Sequence, residues 1–249
     1  MKYSLADIAH LGTIMGIWAH PDDETWTMGG ILAAACQNGQ KVVIITASRG
    51  EAGKTADESR WPSANLASIR TKELEASLSS LGLIEHHWLD CPDGKLAEAA
   101  EDPITEQIAD IIRATDPNTI FSFAKDGITG HQDHKTIHQW TLRAAQLAGS
   151  SARLLGAVES SEKYSAVCQD CPKFVNDVYF KTLKPFTVPK SKTSLCFELP
   201  DEIKVKKMHS LKLQASQTAQ FFANHQGQTF LNEQTACECF MNLEPLAAT

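Results

Sequence analysis

Apolar positions in the first half of the chain form short unbroken runs that alternate with longer stretches of helical period. Thr13 to Ala19 reads as a strand, Gly30 to Gln37 as a helix rich in Ala and Leu, and Lys41 to Ala47 as a second strand. The β-branched run Val42, Val43, Ile44, Ile45 suits a strand buried on both faces of a parallel sheet. Ala64 to Leu81 places Leu66, Ile69, Leu74, Leu78 and Leu81 near helical spacing, and His86 to Leu89 is a short strand. Ile104 to Thr115 reads as a helix with Pro103 at its start, Thr119 to Phe123 as a strand, and His131 to Leu147 as a helix after a glycine-containing turn. Beyond Ser150 the pattern weakens. There Asp177 to Leu183 and Ser194 to Leu199 read as strands, and Asp201 to Phe222 as one helix.

The β-α-β-α order predicts an α/β protein with a Rossmann-like three-layer fold, a mostly parallel sheet with helices on both faces and ligands at the carboxyl ends of the strands. With 249 residues and 43% hydrophobic composition the chain can bury one substantial core, so one domain over residues 1–249 is expected.

Two polar clusters fall on the sheet edge where such a fold puts its chemistry. Ala19-His20-Pro21-Asp22-Asp23-Glu24 follows the first strand, and His131-Gln132-Asp133-His134 follows the strand at Thr119 to Phe123. His nitrogen and Asp oxygen two or three residues apart can share a cation, and zinc accepts both. Zinc hydrolases use three protein ligands and leave one position for water; amide hydrolysis also needs a base, an oxyanion donor and a proton for the leaving amine. Taken singly, these residues have simpler readings: Asp133 as a favoured residue at a helix N-terminus, Pro21 as a turn residue. His134 and His138, four apart on a helix, are an alternative ligand pair that spacing leaves open. Two dense clusters, each just after a strand, are rarely a chance arrangement.

Charge and composition remove other classes. A formal net charge of −7 and no long Lys/Arg block argue against nucleic acid, and Lys204, Lys206 and Lys207 read as helix-surface charge. No apolar run approaches the roughly 18–20 residues of a membrane span, and Asp7 interrupts any secretory signal. Seven cysteines, an odd number, fit a reducing compartment, with the cytoplasm as default. Neither a G-x-G-x-x-G nor a G-x-x-x-x-G-K-[ST] phosphate loop occurs, nor a G-x-S-x-G elbow.

The two clusters together resemble the LmbE-like, or PIG-L, family of zinc-dependent N-deacetylases. Ser48-Arg49-Gly50-Glu51-Ala52-Gly53 is similar to the family's T-x-G-E-x-G loop, Arg70-Thr71-Lys72-Glu73 to its R-x-x-E segment, and Leu89-Asp90-Cys91-Pro92-Asp93-Gly94 to its L-x-x-x-D-G element. The resemblance implies that His20, Asp23 and His134 bind zinc, with another divalent ion as the alternative, and that Asp22 is general base toward the metal-bound water. It implies that His131 stabilises the oxyanion and protonates the amine, that Asp133 orients a neighbouring histidine, and that Glu24 serves structure. Arg70 and Asp93 align with positions that contact a small N-acetylglucosamine-type conjugate. Homo-oligomers are common in the family, and residues 150–249, the more divergent part, are expected to shape the substrate pocket.

Two positions depart from the pattern: Gln132 stands where Pro is usual, and Gln214 where His is common in the K-x-x-x-L-x-x-H-x-S-Q helix over Lys207 to Gln217. The second bears on the substrate and not on the metal. An amidase acting on a non-sugar amide is an alternative. A non-catalytic metal-binding protein is another, although Asp22 and His131 are not needed for ligation. Cys168-x-x-Cys171 with Cys237-x-Cys239 offers a structural zinc site against plain reduced thiols.

Overall fold

A computed structural model describes residues 2–3, 5–82, 84–179, 182 and 185–244. The N-terminal half runs β1 (Lys2–Tyr3), α1 (Leu5–Ala9), β2 (Ile14–Trp18), α2 (Asp23–Gln37), β3 (Val42–Thr46), α3 (Leu66–Leu81), β4 (Glu85–Trp88), α4 (Glu101–Thr115), β5 (Thr119–Phe123) and α5 (Gln132–Leu147). It continues with β6 (Arg153–Ala157), β7 (Glu159–Ser160), α6 (Ser161–Asp170), α7 (Pro172–Val178), β8 (Thr187–Val188) and β9 (Leu195–Glu198). The remainder is α8 (Asp201–Leu213), α9 (Ala215–Phe222), α10 (His225–Gln234) and β10 (Cys237–Asn242). Among the described residues no helix is long and apolar enough to cross a membrane.

One sheet carries the strands in the order β1-β9-β10-β6-β5-β2-β3-β4, parallel except for β10, which is antiparallel to β6 and β9. β2, β3 and β5 are buried at every residue, as their continuous apolar runs require. Helices α2, α3 and α8 pack together as one layer and α4 with α5 as another, and right-handed crossovers put the two layers on opposite faces. From β2 the chain winds outward through β3 to β4, then returns to lay β5 and β6 on the other side of β2. The reversal leaves a crevice at the carboxyl ends of β2 and β5, where α/β sheets bind ligands. A second apolar cluster, including Val167, Phe174, Tyr179, Leu211, Phe221, Phe230 and Leu231, joins α6 to α10 over that end of the sheet.

Several expected boundaries move. Helix α2 begins at Asp23, seven residues ahead of Gly30, and is kinked at Met28 (φ −138°, ψ 15°). The kink deprives the Gly30 and Ile31 N–H groups of helical acceptors; Glu238 takes them at 2.7 and 2.8 Å, while Lys207 Nζ donates to Trp26 O at 2.8 Å and to Glu238 Oε1 at 2.7 Å. Lys207, expected on a helix surface, is therefore fully buried. A side chain at Gly30 would strike Leu199, so this close approach needs glycine. The helix expected over Asp201 to Phe222 is two, because Gln214 leaves helical geometry (φ −92°, ψ 47°). The strand expected over Asp177 to Leu183 is not formed at its start: Asp177 and Val178 end α7, which Pro172 opens from its first turn and Phe174 and Val175 bury. Positions 180, 181 and 183 lie outside the described residues. Strand β6, the strand pair β7–β8, helices α6, α7 and α10 and strand β10 add to the expected elements.

Candidate metal and active site

The β2–α2 turn is built around Asp22, which takes the left-handed conformation (φ 90°) at the helix N-cap. Its carbonyl accepts from Thr25 N and Trp26 N, and its own N–H donates to Glu24 Oε2 at 3.1 Å. Its carboxylate does not cap the helix. It lines the cavity instead, paired with Arg70 at 3.4 Å. Burial raises the Asp22 carboxyl to about 7, against the opposing pull of Arg70.

His20 and Asp23 flank that residue, and α5 delivers His134 from the opposite side of the crevice. His20 Nδ1 lies 3.3 Å from Asp23 Oδ2, and His134 Nε2 lies 3.3 Å from Asp23 Oδ1. The three donors fall within 4.8 Å of one another, and each residue is at most 8% exposed. Donors held about 2.0 Å from a tetrahedral ion stand roughly 3.3 Å apart, so the spacing fits zinc. The outer nitrogens are also engaged. His20 Nε2 meets Asp93 Oδ1 at 3.0 Å and Asp133 Oδ2 at 3.2 Å, while His134 Nδ1 bonds Gly127 O at 2.9 Å and its ring stacks on Phe123. Such partners fix the tautomer and orientation of ligating histidines. Burial opposes ionisation of Asp23, yet His134 and His20 hold its carboxyl far below the usual range. Asp23, Asp93 and Asp133 gather about His20 while Arg70 pairs with Asp22, so the centre is rich in carboxylates whose charge a divalent cation would neutralise.

His131 caps α5. Its Nδ1 accepts from Asp133 N at 3.2 Å, which puts the proton of the neutral ring on Nε2. Burial, with His20 and His134 nearby, lowers its pKa to about 4. It lines the cavity as a neutral hydrogen-bond donor. Asp133 accepts from Gly94 N at 2.7 Å and Leu96 N at 3.2 Å as well as facing His20. His138 stands apart from these donors, bonded through Nδ1 to Phe123 O at 3.0 Å.

Arg70 and Asp93 reach the cavity wall, where the protein holds the Asp93 carboxylate and the terminal guanidinium nitrogens of Arg70 and leaves the buried Arg70 Nε without a partner. Arg70 donates to Pro21 O and, at 2.9 Å, to Gly50 O. Gly50 (φ 70°) cannot be replaced without collision, since a Cβ there would stand 2.2 Å from Arg70 Nη1. Asp93 Oδ2 accepts from Ala52 N at 2.8 Å, and Glu51 accepts from Asp93 N at 3.0 Å. The loop over residues 48–53 and the 89–94 element thus lock around the β2–α2 turn.

The cavity measures about 880 Å³. One wall is the cluster just described. The C-terminal half supplies the other, with the amides of Asn176, Gln217, Gln220 and Gln234 and the rings of Phe221 and Phe230, to which α2 adds the ring of Trp26. Of these, only Gln217 fell within a sequence motif; the others come together from separate helices through the fold. The four-cysteine site is not assembled. Cys168 and Cys171 belong to the helical cluster, whereas Cys237 and Cys239 gather with Cys196 on the sheet.

A sequence profile for the PIG-L family, described as GlcNAc-PI de-N-acetylase, matches residues 15–145, more than half of the chain. A 1D-myo-inositol 2-acetamido-2-deoxy-alpha-D-glucopyranoside deacetylase of Kineococcus radiotolerans is 30% identical over 57% of the chain, which spans only 47% of that protein. A second enzyme of that name from Saccharopolyspora erythraea is 30% identical over 82% of the chain and 83% of its own length. In fold, the N,N'-diacetylchitobiose deacetylase of Pyrococcus horikoshii superimposes with a TM-score of 0.65 at 20% identity, covering 97% of this chain and 87% of that one. The profile match contains the His20–Glu24 turn, the Arg70 and Asp93 supports and the His131–His134 helix start in one stretch, and the chain belongs to the PIG-L family.

Proposed function

We propose that this chain is a zinc-dependent hydrolase that removes the acetyl group from the nitrogen of a small N-acetylglucosamine-type conjugate. The observation that carries the reading is the convergence of His20, Asp23 and His134 at metal-ligand spacing, with Asp22 and His131 beside them in one cavity. The relatives named as deacetylases of an inositol-linked acetamido sugar supply the substrate class.

His20, Asp23 and His134 would hold the zinc, which when bound supplies Lewis-acid activation of water and of the amide carbonyl. Asp22 is free of capping duty and half-buried at the cavity wall, so its carboxylate takes the proton of the attacking water. His131 presents Nε2–H to the developing oxyanion. Its Nδ1 is occupied by the Asp133 N–H, so a second ring proton would have to displace that bond. The proton gained by Asp22 is therefore the one returned to the leaving amine. Arg70 and Asp93 position Asp22 and His20, and the C-terminal amides and rings receive the rest of the conjugate.

The test is release of free amine from a panel of N-acetylglucosaminyl conjugates, comparing zinc-loaded protein with Asp22→Ala at matched zinc content. Amine released by wild type and not by the variant supports the reading. Zinc retained with no amine released by either protein would sink it.

A further inference from the structure

The antiparallel pair β9–β10 gathers three cysteines on one face. Cys196 stands directly opposite Cys239 in the ladder, and Cys237, two residues earlier, points the same way because side chains alternate along a strand. Cys196 Sγ and Cys237 Sγ lie 2.9 and 3.8 Å from Cys239 Sγ, and all three sulfurs fall within 4.8 Å of one another. Each residue is at most 4% exposed, among Ala124, Val158 and Val188. Met241, next on the same face of β10, packs against the cluster. Cys239 also lines the large cavity, which gives the group a path to solvent.

From this geometry we propose a second metal site, at Cys196, Cys237 and Cys239, that binds copper(I). Sulfurs each about 2.3 Å from a common ion stand roughly 3.8 Å apart, the spacing of Cys237 and Cys239, and the closer Cys196–Cys239 contact opens by under about 1 Å to match. Sulfur donors without nitrogen or oxygen select soft copper(I) or zinc. Structural zinc closes with four ligands, whereas this group has three thiols, and the next side chain on the face is a thioether. As copper binds, the three thiols release their protons to solvent. The site is separate from the His20, Asp23 and His134 centre and stands whether or not the substrate reading holds.

The test uses the full chain, reduced and anaerobic, with its first site loaded with zinc. It is titrated with copper(I) against a competing chelator, and X-ray absorption is recorded at the copper edge. One copper per chain in a sulfur-only shell is expected, at least tenfold weaker in Cys237→Ser and unchanged in Cys168→Ser, with zinc content constant throughout. Wild type that yields all copper to the chelator, or a copper shell of nitrogen and oxygen, overturns the site without reference to any variant. So does equal affinity in Cys237→Ser.

Discussion

Gln214 Nε2 donates to Glu24 Oε1 at 3.0 Å, while the other oxygen of Glu24 accepts from Asp22 N at 3.1 Å. One buried carboxylate therefore ties the break between α8 and α9 to the left-handed turn that aims the proposed base. Thr25 Oγ1 and Ser77 Oγ, each 3.0 Å from the same amide nitrogen, complete the cluster. Burial raises the Glu24 carboxyl to about 7, so its hydrogen-bond partners decide how firmly it is held.

Removing Gln214 should consequently disturb Asp22 rather than substrate affinity. Gln214→Ala is expected to lower kcat by about 10- to 100-fold, a misplacement effect, with KM within about threefold and zinc retained. Gln214→His, which keeps a donor, should recover most of the loss. Steady-state kinetics with metal analysis decide it: a raised KM at unchanged kcat would instead put Gln214 in the substrate pocket.

Asp22→Asn keeps the shape of the turn and removes the base. Activity should drop by roughly 10²- to 10⁴-fold while zinc stays bound, because the carboxylate lies outside the ligand set. Loss of zinc along with activity would move Asp22 into that set.

The candidate site was legible as a place in the fold because its residues sit in two clusters after strands whose burial fixes their direction. Val42 to Ile45 announces β3, and β2 ends two residues before His20. Lys207 was not legible: three lysines in four positions resemble a solvated helix face, and the partner that buries this one, Glu238, lies 31 residues away on β10. The break at Gln214 escaped for the same reason, since its cause is a set of side chains at 24, 25 and 77. Nothing local marks Cys196 as the neighbour of Cys239, which only the β9–β10 register reveals.

Asp133 tests the supports of the proposed metal centre. It faces His20 Nε2 while accepting from Gly94 N and Leu96 N, so Asp133→Asn must turn an amide N–H toward one of these donors. Zinc affinity should weaken by about 10- to 100-fold, read by competition with a chelator. An unchanged affinity would show that Asp93 alone can orient His20.

Lys207 and Glu238 have side chains 0% and 1% exposed, and their removal should have unequal costs. Glu238→Leu strands the Lys207 charge and also frees the Gly30 and Ile31 N–H groups at the α2 kink. Loss of about 3–5 kcal/mol is expected, the range for breaking a buried pair. Lys207→Met leaves the Glu238 charge without its counter-ion but still held by both backbone donors, and strands Trp26 O, so a smaller loss of about 1–3 kcal/mol is expected. The double variant should regain the part due to the stranded ammonium but not the part due to the kink, and so remain less stable than Lys207→Met. Urea denaturation of the four proteins measures this order. Equal losses in the two single variants would mean that the ion pair, and not the capping of the kink, is what Glu238 contributes.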